Sequence, residues 1–232
     1  MKVLRDSASA GFIAAMTGIL FLVLVLAAPE PGAGSAGQSL FLAGLAWVCF
    51  IAFAAALRHE TLAREGAGRG VADVLFAAAA LVAAFGLMST AIWVAPLLTG
   101  GIEEALGAGA DAAAIGLWRF FAEATANVLI EAGTFWRGLM LIGVAVAALR
   151  VGILPLWLAW ISAALGATAL IASIAFLDSP FGEVATMLGF GSSVAFYFWV
   201  PLTGLSLAWR TRSRRVDAHL TVTEHSTTTS AG

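Results

Sequence analysis

Apolar residues run along this chain in long blocks separated by short polar stretches, without the alternation of a half-buried strand. The blocks fall at residues 11–28, 39–57, 71–98, 127–149, 153–177 and 184–209. A helix needs about 20 apolar residues to cross about 30 Å of hydrocarbon, so the pattern predicts an all-α polytopic membrane protein with six transmembrane helices. The first block is similar to the apolar core of a secretory signal, but Pro29 directly follows Ala28, where a cleaved bond would lie, and we read it as a retained span. Residues 112–126 are expected to form an outer interfacial helix or an outward extension of span 4. The membrane domain is expected over 1–215. Residues 216–232 are Ser/Thr-rich without apolar periodicity and are expected to be a disordered cytoplasmic tail.

Composition sharpens the class. The chain of 232 residues is 61% hydrophobic and 11% charged, with a mean hydropathy of +0.96, against about 45–50% apolar and about 25% charged in soluble domains. Lys and Arg collect on the cytoplasmic side of membranes. Lys2, Arg5, Arg58, Arg64, Arg69, Arg150, Arg210, Arg212, Arg214 and Arg215 all fall on one side if both termini are cytoplasmic, while segments 29–38, 99–112 and 178–183 carry acids and no Lys or Arg. The expected location is therefore a membrane crossed six times, with the N- and C-termini on the cytoplasmic side.

Scarce residue types exclude several chemistries. Lys2 is the only lysine, so no buried lysine can hold a Schiff base. His59, His219 and His225 lie outside the apolar blocks, which removes intramembrane haem or copper ligation. The lone Cys49 excludes an intrachain disulfide and a cysteine-rich metal site, and the net charge of -2 gives no case for nucleic acid. No cofactor, metal or catalytic residue is expected.

One polar stripe stands out. At 100° per residue, Arg119, Glu123, Asn127, Glu131, Thr134 and Arg137 fall within an arc of about 120°. Arg119 and Glu123 are spaced to pair i to i+4. Counting back from Arg150 at 1.5 Å per residue places Arg137 roughly 19 Å above the inner boundary, inside the hydrocarbon. An arginine there costs about 2.5–3.5 kcal/mol on insertion scales and needs a partner or a water-filled pocket. Glu131 is about 9 Å higher and about 120° around the helix, too far to pair with Arg137 directly. Tyr197, Ser193 and Ser192 lie between those two levels, Ser89 and Thr90 near that of Glu131, and Thr168 near that of Arg137. These residues predict an outward-opening pocket with Arg137 at its floor, Glu131 near its mouth and hydroxyls on its walls. The competing reading is a set of interhelical hydrogen bonds, to which Thr17, Thr186 and Ser162 are assigned. Asp73 is expected to cap span 3 or meet Arg69, and the tryptophans, such as Trp93, Trp157 and Trp209, to form an interfacial belt. Ala163, Gly166 and Ala167 would allow close helix contact.

The halves show weak internal similarity. LAWVCFIAFAAAL (45–57) aligns without gaps to LAWISAALGATAL (158–170), and the segment from Phe85 aligns with gaps to that from Phe190. Pairing helix n with n+3 gives a 3+3 inverted repeat, with Pro96 and Pro201 at equivalent points.

Two resemblances follow. FWRGLML (135–141) resembles the arginine-glycine segment of the intramembrane prenyl-protease-like family, whose signature is a Glu pair just before the arginine. Ala132 and Gly133 occupy those positions here, and no intramembrane histidine completes the site, so the departure removes that family's catalytic groups. LRVGILPLWLAW (149–160) resembles a family of uncharacterised bacterial six-helix membrane proteins, often actinobacterial, in its basic residue, Leu-Pro and Trp-Leu pairs. That likeness implies the topology and carries no activity. The expectation is a transporter-like or ligand-binding protein in which Arg137 recognises a polar or anionic small molecule or lipid headgroup. Glu131 would supply a counter-charge, and Thr134, Tyr197, Ser192 and Ser193 would orient the ligand. The alternative is a non-catalytic accessory or scaffold subunit whose partner is another membrane protein or a second copy.

Overall fold

Backbone polar groups have no water to bond inside a bilayer, so a spanning apolar segment satisfies them within itself as a helix. The computed structural model describes residues 2–30, 35–65, 70–98, 111–174 and 182–229, with side chains described from Ser9 to Ser213 except at 65, 97 and 174. Those residues form six helices, all long and apolar enough to cross a membrane: α1 (Lys2–Ala27), α2 (Ala36–Glu65), α3 (Gly70–Leu98), α4 (Ala112–Val151), α5 (Leu156–Ile174) and α6 (Gly182–Thr229). The described residues contain no strand. The expected all-helical, six-span architecture is thus the observed one.

The helix ends follow from local chemistry. Asp111 caps α4, its carboxylate accepting from the Ala114 amide at 2.6 Å. From there α4 is continuous, so residues 112–126 extend span 4 rather than forming a separate helix. Gly152 ends α4 in the left-handed conformation, at φ 64°, which glycine adopts without a Cβ clash. Pro155 lacks an N–H and disfavours helix in the residue before it, which is why α5 begins at Leu156 and not at the expected 153. The expected end of span 5, at 177, lies outside the described residues. Helix α2 continues to Glu65, two turns beyond the expected 57, and carries Arg58 and Arg64 on the helix instead of in a loop. Helix α6 runs through Thr229, so the expected tail residues 216–229 lie at its end.

The helices pack in a closed ring in chain order, each against its sequence neighbours and α6 back against α1. A Cβ on Gly11 would meet Thr211 and one on Gly18 would meet Pro201, so α1 and α6 run antiparallel and both termini lie at one end, called here the termini end. Gly204 lies so close to Ala14 that a Cβ would overlap its backbone. Gly138 and Gly166 make the same close approach between α4 and α5, each Cβ position falling 3.0 Å from the other's carbonyl. Of the small residues expected to permit such contact, Gly166 sits at the crossing.

Inside the ring Phe21, Phe50, Phe53, Phe196 and Trp199 are buried and in mutual ring contact. The outside is also apolar: Phe12, Phe41, Val74, Trp160, Met187 and Phe190 are all more than 60% exposed. A surface of this kind suits lipid and not water. The inverted repeat is not shown by this arrangement. Of the aligned tryptophans, Trp47 is half-buried among aromatic rings, whereas Trp160 is 62% exposed.

At the termini end two arginines converge on one carbonyl. Arg64 from α2 and Arg210 from α6 each donate to the Gly152 oxygen at 2.7 Å. Arg64 also pairs with Glu60 at 3.3 Å, and the Glu60 side chain is only 1% exposed. The carbonyl is available because it belongs to the residue that terminates α4. Nearby, Asp73 pairs with Arg58 across α2 and α3 at 2.6 Å. Asp73 sits in the first turn of α3, where it was expected; α2's overshoot brings Arg58 within its reach, and the expected partner Arg69 lies outside the described residues.

Candidate functional site

The most expensive intramembrane residue organises the half of the bundle away from the termini. Arg137 is 8% exposed. Its Nη1 donates to Ser193 Oγ at 2.8 Å, and its Nη2 donates to Ser192 Oγ at 3.1 Å and to Thr134 Oγ1 at 3.3 Å. Each of these hydroxyls gives its own proton to its own helix: Ser192 and Ser193 to the Gly189 carbonyl at 2.9 and 2.8 Å, Thr134 to that of Ile130 at 2.9 Å. Their lone pairs are therefore turned to the guanidinium, and the successive bonds polarise one another. The Phe196 ring lies 5.7 Å from the guanidinium carbon, in cation–π contact.

No carboxylate completes this shell among the described residues. Glu131 is half-buried on the same helix and forms no ion pair or hydrogen bond with them, as its angular offset from Arg137 requires. Three donors of the guanidinium go to hydroxyls, and Nε is buried with no acceptor. The positive charge is hydrogen-bonded and has no direct ion pair among the described residues; Glu131 acts on it only through space, in surroundings where an unpaired charge is costly.

Beside Arg137 lies a cleft of about 190 Å³ between α2, α3, α4 and α6. Thr134, Ser193, Tyr197, Ser89 and Thr90 share its lining with Arg137, so the structure gathers six of the residues named from the sequence. Ser192 bonds to Arg137 from behind. Asn127 is exposed, and neither it nor Glu131 is among the lining residues. Thr90 gives its proton to the Gly86 carbonyl at 2.9 Å. The hydroxyls of Ser89 and Tyr197 bond to no described residue.

The apolar walls are Trp47, Val82, Leu129, Ile130 and Phe196, none of which the polar stripe pointed to. Trp47 and Trp199 depart from the expected interfacial belt: Trp47 walls the cleft, and Trp199 is 1% exposed and stacks on Phe196. Gly86 makes room for Trp47, because a Cβ there would overlap the indole. A glycine facing an aromatic across neighbouring helices is the signal that could have found this wall.

Of the other polar residues named from the sequence, Ser162 joins two helices. Trp199 Nε1 donates to Ser162 Oγ at 2.8 Å, joining α5 to α6 as assigned. Thr17, Thr168 and Thr186 bond carbonyls of their own helices instead of neighbouring ones. No ion pair joins Arg119 and Glu123 among the described residues; both are exposed.

Comparison with known proteins finds no matching family model, no matching curated protein and no matching solved structure. The site is read from its own geometry.

Proposed function

We propose that this chain is a transporter-like, non-catalytic multi-pass protein of the bacterial inner membrane. In this reading it binds a polar or anionic small molecule or lipid headgroup in an outward-facing cleft, and both termini are cytoplasmic. One observation carries the reading: the buried Arg137 lines a cleft, and the side chains that hydrogen-bond it are all neutral hydroxyls. The orientation is supported by the arginines at the termini end and by the acids Glu30, Asp111 and Glu183 at the helix ends away from it. Recognition then rests on Arg137, with Thr134, Ser193, Ser192 and Tyr197 setting the ligand's position. Glu131, about 9 Å along the helix, acts as an acidic group nearer the mouth.

Uptake of radiolabelled phosphate, sulfate, lactate and benzoate into proteoliposomes tests this. At least one should enter in a protein-dependent way, and Arg137→Gln should abolish that uptake while eluting as a monodisperse, folded species. If all four are excluded and none binds, the reading fails.

A second reading has its own observation. Arg137 bridges α4 to Ser192 and Ser193 of α6, as an accessory or scaffold subunit would use it. Loss of folding or of partner association in Arg137→Gln, without any solute effect, would favour that reading.

A further inference from the structure

The cleft holds one fixed positive charge, unspent N–H and O–H donors, and acceptors that are only neutral hydroxyl oxygens. The Ser193, Thr134 and Thr90 hydroxyls have given their protons to backbone carbonyls. Donors left include the second proton of Nη1, the Trp47 indole N–H and the O–H groups of Ser89 and Tyr197, all on lining residues; Arg137 Nε is also unpaired but is sealed from solvent. No Asp, Glu, Asn or Gln lines the cleft, and helical carbonyls are occupied by their own ladder. A neutral polyol could bond the hydroxyls but would bring no negative group to the guanidinium. A cation would face Arg137. An anion is the complement.

Charge count and wall chemistry narrow the class. One guanidinium balances one negative charge, and a dianion would bring a second, uncompensated charge into low dielectric. Trp47, Val82, Leu129, Ile130 and Phe196 offer apolar and aromatic surface, which a bare inorganic ion leaves unused. A cleft of about 190 Å³ is smaller than the roughly 300–1,000 Å³ of drug-sized pockets and equals roughly six waters at about 30 Å³ each. We infer that the cleft takes a monocarboxylate with a short apolar or aromatic body, its carboxylate on Arg137, Ser89 and Tyr197 and its body against Trp47 and Phe196. This rests on the anion-binding reading of the same site and names its ligand class. Such a carboxylate could be a free solute or the head of a membrane fatty acid.

The test is binding of radiolabelled benzoate to the full chain in lipid nanodiscs, with unlabelled competitors. Butyrate and benzoate should displace the label, and benzamide, which is neutral and nearly isosteric, should not. Tyr197→Phe and Ser89→Ala, which leave the packing intact, should each weaken binding severalfold. Ser89→Leu, which fills the cleft, should abolish it, as should Arg137→Gln. If laurate competes far better than benzoate, the carboxylate class stands and the source is lipid. Arg137-dependent binding of phosphate or sulfate without any carboxylate binding would overturn this inference and leave the anion site standing. No binding of any of these anions to folded protein would overturn both.

Discussion

Two arginine sites at opposite ends of the bundle solve the same problem differently. At the termini end, Arg64 has a buried carboxylate, Glu60, and shares the Gly152 carbonyl with Arg210. Charge there is matched by charge, and the contacts tie α2 and α6 to the end of α4. In the other half Arg137 is as well buried, yet its shell is three neutral hydroxyls and a ring face. On the proposed reading, the first cluster serves the fold and the second recognition.

The largest effect should come from Glu60→Ala, which leaves Arg64 buried without its acid. Unfolding in mild detergent should report a loss of about 3–5 kcal/mol, the usual result of removing one member of a buried pair. Gly86→Ala comes next, because its Cβ overlaps Trp47 and the indole must leave the cleft wall. A loss of about 1–3 kcal/mol is expected, and calorimetric titration with benzoate should show weakened binding. Arg210→Gln should cost about 1 kcal/mol, since Arg64 still donates to Gly152. The smallest stability change is expected at the costliest residue. Arg137→Gln should shift denaturant unfolding by less than about 1 kcal/mol in either direction, as lost hydrogen bonds offset the removal of a charge that costs about 2.5–3.5 kcal/mol to insert. A drop of several kcal/mol there would erase the distinction between the two sites.

Much of this was legible in the residue order. Spans are fixed by the length of apolar blocks, and a depth count at constant rise put Ser192 and Ser193 between the levels of Arg137 and Glu131, because neighbouring helices share one membrane frame. The faces of the helices were not legible. A span that is apolar on the lipid side and apolar inside has no stripe to say which way it points, so Trp47, Val82, Leu129 and Phe196 could not be told from lipid-facing residues. Glu60 was missed for a different reason. It lies beyond the apolar block and reads as loop, although its i, i+4 spacing to Arg64 was a usable sign that the helix continues. The Asp73 partner depended on that same overshoot.

The most direct measurement is thermal unfolding of the wild type and Arg137→Gln, side by side in lipid nanodiscs, with and without saturating benzoate. Equal melting temperatures without benzoate, and a rise on adding it in the wild type alone, are expected of a charge held for a ligand, since binding to the native state stabilises it by mass action. A variant that melts far below the wild type, with benzoate moving neither, would place Arg137 with Arg64 among the residues that hold the bundle together.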